Sequence, residues 1–451
     1  MNRLLRAAAL ALALCAATPV PAAEPETILY SGATVIDGTG APARRDQDFL
    51  VQGERIVAVA PHGSLDARAG KARRVDLAGR FVIPGLIDSH VHLATPPNRV
   101  RAEAILRRNL YGGVTAVRDM ADDLRAVGEL ARAARAGEIP APDIYYAAVM
   151  AGPPFFADPR VSAVSRGFVP GTAPWVQSID AHTDLRTAVT LARGTSATAI
   201  KIYADLPPAL VAAITAEAHR QHMLVWAHSA VFPTRPADVI ASGADALSHV
   251  CYLAYQREPV MLASYEDRTP VHESLLAAGD DPVIAGLYRA MLRHKTILDA
   301  TGRLFVRYDA VRRAHPERRP LRCTGPAVVR LTRQAWKAGV PIATGTDFNT
   351  GSGEAWPEVF EELLFLARDV GMPPLEAIRS ATLVGAEAAG QGRDMGSIAP
   401  GKLANFIVLA ADPIADIGNL RTIEMTVKRG KTYARTDYKP VTAAELGDDD
   451  D

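Results

Sequence analysis

Two histidines, His90 and His92, stand one residue apart at the end of the apolar run "FVIPGLIDSHVHLAT", residues 81–95. The run reads as a buried strand, marked off by Pro84-Gly85 and by Pro96-Pro97. Side chains alternate along a strand, so the two imidazoles point to one face. A neutral pair of this kind suits a divalent metal. It equally suits strand-end histidines bonded to backbone or water. Other polar residues close apolar runs further along: Lys201 in "TAIKIYA", His228 in "MLVWAHS", His249 in "DALSHV" and Asp347 in "PIATGTDF". Imidazole and carboxylate donors suit zinc, and also manganese, iron or cobalt. Two such ions can share one hydroxide and polarise a substrate carbonyl, with Asp347 as the general base that passes a proton to the leaving group. Lys201 is the odd member, because an ammonium facing cations is repelled and cannot coordinate.

These residues meet only if the elements carrying them close on one another. The middle of the chain alternates apolar strands with helical patterns. Strands end near His92, Asp119, Ala148, Tyr203, His228, His249, Thr301 and Asp347. Helical patterns cover 101–111, 122–136, 184–193, 207–221, 283–294, 326–338 and 354–370, and Pro233 and Pro236 leave room for only a short helix after His228. Eight alternations over about 250–300 residues are the arithmetic of a (β/α)8 barrel. A doubly wound open sheet is the rival, but no Gly-rich phosphate loop follows an early strand. Barrel enzymes carry their chemistry at the C-terminal strand ends, where all six candidate ligands fall. The blocks 27–60 and 396–435 are β-rich and broken by Gly-rich turns, and paired they would make one small domain. The expected fold is therefore α/β: a barrel over 85–390 and a discontinuous β-sandwich from 23–84 and 391–451.

The 451 residues are 48% hydrophobic and 22% charged, with zero formal net charge, an ordinary globular composition. No long basic run marks a nucleic-acid surface. "MNRLLRAAALALALCAATPVPAA" reads as a secretory signal cut after Ala22, with Leu14 arguing against lipidation of Cys15. A periplasmic or secreted location is expected, with no membrane span after removal of residues 1–22. Asp448–Asp451 reads as a solvated tail. Cys251 and Cys323 remain, and sequence cannot show whether they meet in a disulfide; beside His249, Cys251 reads as a buried neutral thiol. A homo-oligomer stays open.

The chain resembles the amidohydrolase superfamily, in the branch of imidazolonepropionase and the metal-dependent Xaa-Pro dipeptidases. The resemblance rests on "GRFVIPGLIDSHVHL", "GVTAVRDM", "AIKIYAD", "VWAHS", "DALSHV", "ATGTDF" and "GSIAPGKLANFIVLAADP". It implies that carbon dioxide carboxylates Lys201 to an anionic carbamate bridging two divalent ions, zinc being the expected metal. By the same resemblance His90, His92 and Asp347 hold one ion, and His228 and His249 hold the other. The sequence departs from the pattern at Ser248, where relatives often carry Glu, and at Asn405, where Asp is usual. It departs again at "MAGPPFFADPR", where many relatives have a Gly/His-rich turn, and at "VCYLAYQREP" after His249.

Long connections at 149–183 and 250–282 are expected to wall the substrate pocket, with Phe155, Phe156, Trp175, Tyr252 and Tyr255 as contacts or loop anchors. Tyr203 shares a strand face with Lys201 and could donate to a substrate oxygen. Arg303, after the seventh strand, could clamp a carboxylate. The leading expectation is a binuclear amidohydrolase cleaving a dipeptide or an N-acyl amino acid, with a small-molecule substrate. The alternatives are a mononuclear cyclic amidase, lactonase or deaminase, and a non-catalytic binding protein.

Overall fold

The computed structural model describes residues 25–348 and 351–447. The segment read as a signal, 1–22, and the acidic end Asp448–Asp451 lie outside the described residues.

Eight parallel strands form the barrel: Leu86–Val91, Val114–Asp119, Asp143–Ala151, Ala199–Ile202, Leu224–His228, Ala246–Ser248, Ile297–Asp299 and Ile342–Ala343. Such strands are covered on both faces, which is why they read as nearly unbroken apolar runs. The ring closes where Ser89 N–H donates to Thr344 C=O and Asp347 N–H donates to His90 C=O, both at 2.8 Å. Buried Asp88 reinforces the closure by accepting from Thr346 Oγ1 at 2.8 Å and from its N–H at 3.1 Å.

The outer helices Arg99–Tyr111, Leu124–Ala136, Leu185–Gly194, Pro208–Arg220, Pro282–His294 and Gly325–Lys337 lie close to the expected segments. Only the short helix Pro236–Ala241 follows His228. Besides short helices such as Pro159–Val164 and Pro374–Arg379, one long helix was not foreseen, Gly302–Ala314. Its buried apolar residues are only Leu304 and Phe305, too few to show a 3.6-residue period.

Strands from both termini share one mixed eight-stranded sheet: Thr27–Val35, Arg44–Gln52, Arg55–Pro61, Arg73–Asp76 and Phe81–Pro84 from the front, and Phe406–Leu409, Ile423–Lys428 and Lys431–Ala434 from the back. Phe81–Pro84 joins the halves, parallel to the first strand and antiparallel to Phe406–Leu409. The core includes Tyr30, Phe49 and Phe406, each ring 5.0 Å from the others. Neither terminal block owns all three rings, so neither could bury this cluster alone.

Gly85 hands the chain from this sheet to the barrel. A Cβ there would fall 2.2 Å from Thr115 Oγ1, so the crossing tolerates no side chain. Asn405 serves the same seam: its C=O accepts from Gly85 N–H at 3.0 Å and its Oδ1 from Arg429 N–H at 2.7 Å. Asp143 of the barrel pairs with Lys428 at 3.0 Å and Arg429 at 2.7 Å, a buried ion cluster joining the two units. No helix among the described residues is long and apolar enough to cross a membrane.

Candidate metal centre and active site

His90, His92, Lys201, His228, His249 and Asp347 line one cavity of about 470 Å³. Asp347 is the hub. Its carboxylate lies 3.6 Å from His90 Nε2, 3.3 Å from His92 Nε2 and 4.0 Å from His249 Nε2. His228 completes the ring of imidazoles, 4.9 Å from His249 between ring centres. One ligand atom each of His90, His249 and Asp347 lie within 4.8 Å of one another, a group that could hold a metal ion. This trio takes His90 and Asp347 from one expected ligand set and His249 from the other.

The far nitrogens of three imidazoles are committed elsewhere. His90 Nδ1 meets Asp299 Oδ2 at 2.7 Å, and His92 Nδ1 meets Asp122 Oδ1 at 3.3 Å. His249 Nδ1 meets Thr301 Oγ1 at 2.9 Å; that hydroxyl donates its own proton to Ala300 C=O at 2.8 Å and so accepts from the imidazole. Each contact puts a proton on Nδ1, and in His90 and His249 it leaves the Nε2 lone pair facing Asp347. His228 differs: its Nδ1 is buried without a hydrogen-bond partner. A buried nitrogen in that condition costs stability unless something coordinates it.

The electrostatics fit a cation at this place. Burial holds His90 and His228 below the ordinary imidazole range and brings His249 down to about 3, so these rings are neutral, as metal ligation requires. Burial also opposes a proton on His92, yet the Asp122 and Asp347 carboxylates outweigh it and lift the ring to about 10. Two carboxylates thus demand positive charge at His92. Burial would raise Asp347, but His90 and His92 keep its carboxyl well below the usual range.

His249, Thr301 and Asp347 hold left-handed backbone, with φ of 72°, 46° and 50°. Non-glycine residues in that region are strained, and such strain gathers where a site needs it.

Beneath the ligands lies a buried polar floor that the sequence reading missed. Lys201 Nζ donates to Ser248 Oγ at 3.0 Å, and Ser248 Oγ donates to Asp299 Oδ2 at 3.1 Å. Arg118 stands 3.4 Å from the same carboxylate and donates to Ser89 C=O at 2.8 Å, with its guanidinium over Trp226. Ser248 therefore links the lysine to a carboxylate on the next strand. Gly345 makes room for that carboxylate, since a Cβ there would fall 2.1 Å from Asp299 Oδ1. Asp299 was legible in principle as the only acid at the end of the seventh strand.

On the substrate side, the Tyr203 ring lies 4.2 Å from His228, and Tyr252 lies 5.2 Å from His249. Both line the cavity with Phe155. Trp175 and Tyr255 anchor loops instead, donating to Val164 C=O at 2.8 Å and Thr269 C=O at 2.6 Å. Arg303 is not brought in. Its backbone N–H bonds Glu362 and its guanidinium faces Glu361, because the unforeseen helix turns it away from the cavity. Arginines reach the cavity from elsewhere: Arg160, Arg268, Arg319 and Arg322, together with Tyr265. Cys251 is not a neutral thiol: it is disulfide-bonded to Cys323, with Cα atoms 5.9 Å apart. The local helix Val250–Arg257 carries it off the strand face and toward that partner.

Fold and site together define a (β/α)8-barrel protein with a histidine–aspartate rim that could hold a metal ion. Residues 81–433 match the Amidohydrolase family, and the chain belongs to that family. A D-aminoacylase of Alcaligenes xylosoxydans xylosoxydans is 45% identical over 69 residues, 15% of this chain and 13% of that protein. An imidazolonepropionase of Stenotrophomonas maltophilia (strain R551-3) is 44% identical over 64 residues, 14% of this chain and 16% of that protein. These alignments span only a small part of either relative. A Xaa-Pro dipeptidase with bound methionine superposes with a TM-score of 0.71 at 21% identity, covering 91% of this chain and all of that one (100%). The A. niger ochratoxinase gives a TM-score of 0.71 at 21% identity, covering 95% of this chain and 99% of its own. At that identity the likeness is one of fold.

Proposed function

We propose that this chain is an exported, metal-dependent hydrolase that cleaves the amide bond of a dipeptide or an N-acyl amino acid. The observation that carries the reading is the meeting of three imidazole Nε2 atoms at the Asp347 carboxylate, within 3.3 to 4.0 Å. His90, His92, His228, His249 and Asp347 would hold two divalent ions, with zinc suiting the donors, and Lys201 would join them as a carbamate. Burial lowers the Lys201 amine to about 7, which makes the neutral form that adds to carbon dioxide abundant near neutral pH. When bound, the ions supply Lewis acidity and a lowered pKa for water.

The chain's own groups do the rest. Asp347 keeps 23% of its side chain accessible and takes a proton from the attacking water at a carboxylate oxygen. The same oxygen returns that proton to the leaving nitrogen, so the amide leaves as a neutral amine. Burial holds the Tyr203 and Tyr252 phenols well above their usual range, and as protonated donors they orient substrate oxygens. Phe155 and the tyrosine rings exclude water from the reacting centre. The Cys251–Cys323 disulfide, with the apolar leader in the sequence, supports export to an oxidising compartment.

A second reading keeps one ion and opens a cyclic amide or lactone, or removes ammonia from a ring. The compact trio His90, His249 and Asp347 favours it, as does the aligned imidazolonepropionase. Elemental analysis of purified protein, with a panel of dipeptides and N-acyl amino acids, separates the two. Two ions per chain, lost in Lys201→Ala, with amide turnover, is the expected result. One ion with ring opening selects the second reading. Full turnover in metal-free protein overturns both.

A further inference from the structure

We infer that Arg160 and Arg268 form a carboxylate-binding subsite in the cavity wall, where a free carboxylate of the substrate docks while its amide lies at the imidazole cluster. The inference rests on the amide reading only for the bond that is cut.

The two arginines come from the two long connections that wall the cavity, and only the first lies in a stretch that departs from the family pattern. Arg160 ends "MAGPPFFADPR", and Arg268 lies in the long connection after His249. Arg160 is gripped from behind by Asp158, with Nε at 3.0 Å and Nη2 at 2.6 Å, yet half of its side chain, 50%, remains accessible. Arg268 lies over the Tyr265 ring, its Cζ 4.0 Å from the ring centre. Its acidic neighbour Glu266 stands off at 3.8 Å, beyond hydrogen-bond length. Arg160, Arg268 and Tyr265 line the same cavity, with Arg268 held on the face of the Tyr265 ring, so the two cations face one space.

Arg322 adds a third positive charge from below. It is 4% exposed, and its hydrogen bonds go to neutral oxygens: the Tyr255 hydroxyl at 3.0 Å and the C=O groups of Asp267 at 3.1 Å and Tyr265 at 2.7 Å. Asp158 pairs closely with Arg160 and Glu266 stands at 3.8 Å from Arg268, so two carboxylates face three guanidiniums. A carboxylate entering the cavity would meet planar, pre-held donors and surplus positive charge, the setting in which guanidinium–carboxylate pairs are strongest.

The subsite is also at a suitable distance. Tyr265 stacks on His228 at 5.9 Å and 21° between ring planes. In an N-acyl amino acid or a dipeptide the carboxyl carbon is two bonds from the amide nitrogen. With one hydrogen bond added, that reach is on the scale of the stack. Tyr265 itself is fixed, its N–H donating to Asp205 Oδ1 at 2.7 Å.

The test uses the full mature chain loaded with metal. Calorimetric binding and turnover are compared for N-acetyl-L-phenylalanine and for its carboxamide, in the wild type, Arg160→Gln and Arg268→Gln, with thermal unfolding as the folding check. The wild type should favour the carboxylate by about 10- to 100-fold, and the ratio should fall toward one in both variants. Equal handling of acid and amide by the wild type overturns the inference without recourse to any variant. So does a folded Arg268→Gln protein that keeps the wild-type ratio. If the acid binds through the arginines but no amide is cut, the amide reading falls and the subsite stands.

Discussion

Asp299 Oδ2 lies 2.7 Å from His90 Nδ1, although 209 positions separate the two in the chain. The contact fixes the tautomer that leaves His90 Nε2 available, and Arg118 and Ser248 hold the carboxylate in turn. Asp299→Asn keeps the shape but loses the charge. Metal affinity should weaken about 10- to 100-fold, the usual cost of removing such a supporting contact. Competition with a chromophoric chelator measures it, and unchanged affinity would remove Asp299 from the site.

Asp347 occupies left-handed backbone, which Asn tolerates and β-branched residues do not. Asp347→Asn should therefore unfold near the wild-type temperature while kcat falls about 10²- to 10⁴-fold. Asp347→Val should lose stability as well as activity. Parallel melting curves and steady-state kinetics distinguish the two.

Cys251 follows His249 by two residues, and its partner Cys323 follows Arg322 directly, so the disulfide ties together two walls of the cavity. The Cys251→Ser, Cys323→Ser double variant should lose about 2–5 kcal/mol of stability. Denaturant unfolding reports the loss. Reductant should shift the wild type the same way and leave the variant where it is.

The exposed His62 ring pairs with Asp48 at 2.8 Å on the terminal sheet. The Asp48 hydrogen bond raises His62 above its ordinary value. Burial pushes Asp48 up, but His62 and the N–H groups of Gly63 and Gly32 outweigh it and hold the carboxyl low. A raised imidazole stabilises fully below its unfolded pKa and loses that contribution as pH rises through the folded value. A lowered carboxyl stabilises above its unfolded pKa and loses its share as pH falls through the folded value. His62→Ala should therefore cost most between the carboxylate and imidazole ranges, and the cost should shrink toward alkaline pH. Melting temperatures of both proteins across pH check the sign.

The ligands were legible because each ends a run that local chemistry already marks as a strand. Alternation puts His90 and His92 on one face, and barrel topology puts His228, His249 and Asp347 on one rim whatever the loops do. The apolar strands, the outer helices and the β-rich terminal blocks follow from patterns a few residues long. Arg303 illustrates the limit. A strand-end address suggested the pocket, but one further turn of helix aims its guanidinium at Glu361 instead.

Long-range pairings were the province of the tertiary structure alone. Which acid orients which imidazole, the meeting of Cys251 with Cys323, and the gathering of Arg160, Arg268 and Tyr265 in one cavity wall all join segments far apart in the chain. Short-range spacing dictates the face a side chain takes on its own strand or helix. Only closure of the barrel, with the loops then packed over its mouth, decides what that side chain meets, because the contact energy comes from a partner the local sequence does not contain.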